Sequence, residues 1–130
     1  MEQNISYNNL IKFLGDNIEI NLQKLEDMMR SVDKYFSGNY VSVYNLLDHD
    51  GLDDFSFYLS VCKDFNIGKM IEILQSKISG YFEPTYNPIS NGWDIVFNNY
   101  NKDRLINIYY LETREKDLCN ALWKALQEFL

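Results

Sequence analysis

Six apolar side chains, Ile18, Leu22, Leu25, Met29, Val32 and Phe36, recur at spacings of 4, 3, 4, 3 and 4, which draws one stripe down one face of a helix. Asp16 or Asn17 can cap its start, and Gly38 followed by Asn39 supplies its stop. A helix of about 20 residues is ~30 Å long at 1.5 Å rise per residue. A single domain of this size has a radius of gyration of only ~14 Å. The helix must therefore cross nearly the whole molecule, and the remaining elements pack around it. The same spacing matches a coiled-coil seam over fewer than three heptads. Packing inside the domain and a homodimer through the Ile18–Phe36 helix both stay open.

Other helices are signalled on either side. Ser6 can cap a short helix carrying Leu10, Ile11 and Leu14, ended by Gly15. Tyr40–Tyr44 alternates like a strand, although Val43, Leu46 and Leu47 also suit a helical turn. Leu52, Phe55, Leu59 and Cys62 resume helical spacing after the turn at Asp48–Gly51. Asn66 can cap a further helix with Ile67, Met70, Ile71, Leu74 and Ile78 as its stripe, ended by Gly80.

Then the pattern changes. Pro84 and Pro88 break any helix, and Ser90-Asn91-Gly92 reads as a turn. Trp93–Asn98 and Leu105–Leu111 are β-branched and aromatic strands joined by the loop Asn99–Arg104. They form an antiparallel hairpin that is apolar on both sides, which calls for cover on both faces. Thr113 is placed to cap a last helix presenting Leu118, Leu122, Ala125 and Phe129. The chain's two alanines, Ala121 and Ala125, would let that helix approach the sheet closely. The expectation is a single α+β domain over residues 1–130, mostly helical to about residue 80, with a C-terminal hairpin packed by the last helix.

Residues 67–130 resemble the phage ABA-sandwich family, through the strand Asn91-Gly92-Trp93-Asp94-Ile95-Val96-Phe97 and the closing helix with Cys119, Ala121 and Ala125. The resemblance implies phage origin and transfers no catalytic residue. Composition points the same way. Asn occurs 15 times, Ile 12 and Tyr 10, against two Ala and three Arg, the usage of an A/T-rich genome such as a low-GC bacterium or its phage.

Chemistry is excluded class by class. His49 is the only imidazole, and it lies in a polar turn without a nucleophile-elbow sequence. Cys62 and Cys119 sit on apolar stripes, where a thiol acts as a small hydrophobe. Asp48-His49-Asp50-Gly51 opens like a calcium loop, but Leu52, Asp53 and Leu59 occupy the positions that need an oxygen ligand, Gly and Glu. No metal, cofactor or enzymatic activity is expected. No phosphate-cradling glycine motif occurs. No secretion signal or membrane span is read from the sequence, so the expectation is a cytoplasmic protein with reduced thiols.

Charge is what remains. Residues 16–64 hold ten acids and four bases, a net of −6, out of −7 for the chain, and no Lys or Arg occurs from Tyr35 to Cys62. Such a surface repels nucleic acid and attracts a basic protein. Asp48, Asp50, Asp53 and Asp54 are the candidate partner-binding residues, although Asp50, Asp53 and Asp54 would also suit a helix start. The leading expectation is a non-enzymatic acidic inhibitor of a basic bacterial nucleic-acid-handling or defence protein, of the anti-CRISPR kind. Two alternatives stand beside it. One is an immunity protein against a cognate toxin. The other is an oligomeric sponge for a nucleotide signal, with an aromatic pocket and Arg104 or Arg114 at the phosphate.

Overall fold

A computed structural model describes residues 4–47 and 52–130, with Leu52 and Asp53 given by their backbone alone. It is an α+β fold whose contacts divide into two compact units, Asn4–Asn66 and Ile67–Leu130.

The first unit is helical: α1 (Tyr7–Leu14), α2 (Ile18–Val32), α3 (Tyr40–Leu46) and α4 (Leu52–Asp64). Ser6 caps α1 as expected, its hydroxyl accepting the Asn9 N–H at 3.1 Å, and Gly15 ends it at φ +52°. Asn21 on α2 donates to the carbonyls of Phe13 and Leu14 at 3.2 and 3.0 Å, which occupies acceptors that a helix end leaves open. The α2 stripe is used inside the chain, with Leu22, Leu25 and Met29 fully buried. However, α2 stops at Val32, short of Phe36. Asp33 leaves helical geometry, and its carboxylate accepts the Tyr35 N–H at 3.1 Å, a side-chain turn that competes with the helix. The ambiguous Tyr40–Tyr44 stretch is helical. Among the described side chains of α4, Phe57, Tyr58, Val61 and Cys62 are buried, while Phe55 of the expected stripe is exposed.

Glu26 organises this unit. It is 5% exposed, and its Oε1 accepts the Tyr40 N–H at 2.8 Å, so a side chain of α2 caps the start of α3. Arg30 lies 3.4 Å from the other carboxylate oxygen and donates to the Gly38 carbonyl at 3.1 Å and to Asn39 Oδ1 at 3.2 Å. Tyr40 in turn donates its hydroxyl to Asp64 on α4 at 2.7 Å. Burial, then Asp64, raise the Tyr40 phenol far above its ordinary value, so it stays protonated. Glu26→Ala should lower stability by about 1–3 kcal/mol, the cost of leaving a buried N–H unsatisfied. A urea midpoint that falls with an unchanged slope would confirm it, and an unmoved midpoint would refute it.

The second unit holds α5 (Ile67–Lys77), β1 (Tyr81–Asn87), β2 (Gly92–Asn101), β3 (Arg104–Glu115) and α6 (Leu118–Gln127). The expected hairpin is therefore two-thirds of a three-stranded antiparallel sheet in the order β1-β2-β3. The extra strand is the proline-bearing segment. Pro84 lacks only the N–H that an edge strand can spare. The β2–β3 connection is also tighter than the loop Asn99–Arg104. Asn101 pairs with Arg104 across Lys102 and Asp103, with Lys102 at φ +57°.

A bulge between Trp93 and Asp94 displaces the expected cap. Thr113 belongs to β3, where its hydroxyl donates to the Trp93 carbonyl and accepts the Glu115 N–H. Asp117 caps α6 instead, accepting from Cys119 N at 2.9 Å and Asn120 N at 3.4 Å. At the same place β2 needs glycine. A Cβ on Gly92 would stand 2.7–2.8 Å from the Arg114 backbone. Ala121 and Ala125 are fully buried where α6 meets β2 and β3, the close approach their size allows.

Candidate interaction surface

The strand registers assign each side chain of the sheet to a face. On one side Phe82, Phe97 and Tyr109 form a row, and Pro84, Ile95 and Leu111 the next. Phe129, just beyond α6, meets Phe97 edge-on at 5.8 Å, and Ile95 and Phe97 are buried. Within this unit α6 packs on this side, with α5 beside it. Between them and the sheet runs a groove of about 420 Å³ lined by Lys77, Ile78, Phe97, Asn99, Tyr109, Glu128 and Phe129. Its cation is Lys77. Arg104 and Arg114, the expected phosphate partners, do not line it, and Arg114 sits 3.5 Å from Glu112.

The other face carries Glu83, Val96 and Tyr110 in one row, Thr85, Asp94 and Glu112 in the next, and Tyr81, Asn98 and Ile108 on the far side. Here the expected cover is missing. Ile108 is 58% and Tyr110 56% exposed, and Tyr81, Glu83 and Thr85 on β1 are exposed beside them. Tyr81 and Tyr100 stack on each other at 5.8 Å. The apolar residues that suggested a second covering layer within the chain face outwards.

Within this open face one carboxylate is enclosed. Asp94 is 2% exposed, and its Oδ2 accepts from Asn87 Nδ2 at 3.0 Å and from the Tyr110 hydroxyl. The bond to Asp94 raises the Tyr110 pKa above the usual phenol value. The second oxygen, Asp94 Oδ1, is buried without a hydrogen-bond partner, and so is Ser90 Oγ in the β1–β2 turn. Asn87 links the two residues, since its Oδ1 accepts the Ser90 backbone N–H at 3.5 Å.

The acids singled out in the sequence lie elsewhere, in the helical unit. Asp48, Asp50 and His49 fall outside the described residues, as does the side chain of Asp53. Asp54 is half-buried in the first turn of α4. Burial, with Tyr44, Asp54 and Tyr7 adding to it, pushes the Tyr58 phenol up to about 12. Cys62 and Cys119 are both buried and are not joined in a disulfide. Among the described residues, no group of three or more His, Cys, Asp or Glu is placed to hold a metal ion. No described helix is long and apolar enough to cross a membrane. The sequence does not single out the enclosed Asp94 or the nearby Ser90, whose Oγ is buried. The signal for Asp94 is only that it is the one charged residue in the run Trp93–Asn98.

The fold and this surface define an α+β protein with an open, tyrosine- and acid-bearing sheet face. No family model matches the chain, and neither the curated proteins nor the solved structures give a match.

Proposed function

We propose that this chain is a non-enzymatic acidic binding protein, phage-encoded, which inhibits a basic bacterial protein of the nucleic-acid-handling or defence class. The observation that carries this reading is the uncovered sheet face. A strand pair apolar on both sides normally has both covered, and here one side presents tyrosines and carboxylates to whatever meets it. Tyrosine joins apolar area to a hydrogen-bonding tip, the chemistry of protein interfaces. The net −6 of residues 16–64 adds long-range attraction for a basic partner. Phage origin is supported by composition and by the resemblance of residues 67–130 to the phage ABA-sandwich family, a stretch that coincides with the compact unit Ile67–Leu130. A site of action in the bacterial cytoplasm accords with two buried thiols that form no disulfide.

The test is capture of the partner from a low-GC bacterial host at low salt, followed by affinity measurement over a salt series. Asp48, Asp50, Asp53 and Asp54 all changed to Asn should weaken binding at least tenfold and flatten its salt dependence. A complex that ignores both the substitutions and the salt would remove charge from the reading.

A further inference from the structure

We infer that the open sheet face holds a receptor site for one guanidinium group, an arginine side chain of the partner, centred on Asp94 and Ser90. The inference rests on the binding-protein reading and names the chemistry of one contact within it. A carboxylate is almost never this deeply enclosed unless it is paired. Asp94 has neutral partners, Asn87 and Tyr110, on one oxygen, and no hydrogen-bond partner on the other. Ser90 Oγ, a second acceptor without a partner, belongs to the same end of the sheet. An unsatisfied carboxylate oxygen, with a hydroxyl in the adjacent turn that can also accept, calls for a donor-rich cation. A guanidinium has five N–H donors in a planar fork and no acceptor.

The surroundings fit the same group. Glu112 stands directly across β3 from Asp94, and Glu83 lies one row along on β1, so the rim is acidic. Arg114, 3.5 Å from Glu112, is 79% exposed and balances that rim only loosely. Tyr110, exposed and hydrogen-bonded to Asp94, offers a ring on which a guanidinium can stack. Asp94 Oδ1 is closed to solvent, so filling the site requires a surface side chain to shift, and Tyr110, bonded to the other oxygen, is the exposed neighbour placed to do so. An exposed tyrosine can make that movement at the surface.

The probe is the peptide acetyl-Gly-Arg-Gly-Arg-Gly-amide at low salt, compared with its citrulline counterpart, which keeps the shape and lacks the charge. Amide chemical shifts of the labelled full chain locate the contact. The arginine peptide should shift Asn87, Ser90, Asp94, Tyr110 and Glu112 in a saturable way, and the citrulline peptide should not. Asp94→Asn should weaken the peptide at least tenfold, and Ser90→Ala should do so severalfold with the rest of the spectrum unchanged. Shifts confined to residues 48–54 would overturn this site and leave the acidic binding protein standing. Equal binding of both peptides, or indifference to Asp94→Asn and Ser90→Ala alike, would also overturn it. The captured partner separates the two levels. Loss with the 48–54 variant but not with Asp94→Asn refutes only the arginine site, and loss with neither, in a complex that also ignores salt, removes the arginine site and the charge-based reading together.

Discussion

Phe97→Ala is expected to cost about 3–5 kcal/mol, the range for deleting a buried aromatic side chain and leaving its cavity. Phe97 sits on the middle strand, 2% exposed, with the rings of Phe82, Tyr109 and Phe129 at 6.3, 5.9 and 5.8 Å. It thus joins β1, β3 and the segment after α6 at one point. No neighbour can collapse into the space without drawing a strand or a helix end with it, so the cavity term should persist. The chain itself provides the readout. Both tryptophans, Trp93 and Trp123, belong to the unit Ile67–Leu130, so tryptophan fluorescence in urea follows that unit alone. A midpoint loss worth less than about 1 kcal/mol would show that the ring cluster collapses freely and is not the unit's centre.

Gly80→Ala should be nearly as damaging, for a different reason. Gly80 lies between α5 and β1, and a Cβ there would stand 1.9 Å from the Asn98 carbonyl oxygen and 2.7 Å from Tyr100 Cδ2. Tyr100 can turn aside, but Asn98 is backbone of the central strand and cannot. Accommodation means moving β1 off β2, where Tyr81 pairs with Asn98. Overpacking of this kind costs about 1–3 kcal/mol, and more where backbone must shift. Hydrogen exchange should show it as faster exchange at the Tyr81 end of the β1–β2 ladder, with the Gly92 end less affected. Unchanged protection at Tyr81 and Asn98 would mean that the chain relieves the contact locally.

Much of this architecture was legible because side-chain periodicity and capping are local. The α2 stripe, the Ser6 and Gly15 boundaries of α1, and the small residues of α6 each depend on neighbours within one or two turns. The misreadings share a non-local cause. Pro84 breaks a helix wherever it stands, but whether it also forbids a strand depends on whether that strand is an edge, which only the pairing decides. Thr113 and Asp117 are both good caps. The bulge at Trp93 extends β3 past Thr113 and leaves the position to Asp117. The site followed the same rule. A run of four nearby aspartates is visible in one dimension, whereas Asp94, Ser90 and Tyr110 meet only through strand register.

The helical unit begins and ends at one place. Asn4 forms a β-bridge with Asn66, and the Ile5 N–H donates to the Phe65 carbonyl at 3.2 Å, so the chain arrives and departs side by side. Across such a bridge the two Cα atoms are roughly 5 Å apart, a gap that two residues of extended chain can span. The described helices α1–α4 thus lie in a stretch of chain whose two ends are tied together by main-chain pairing.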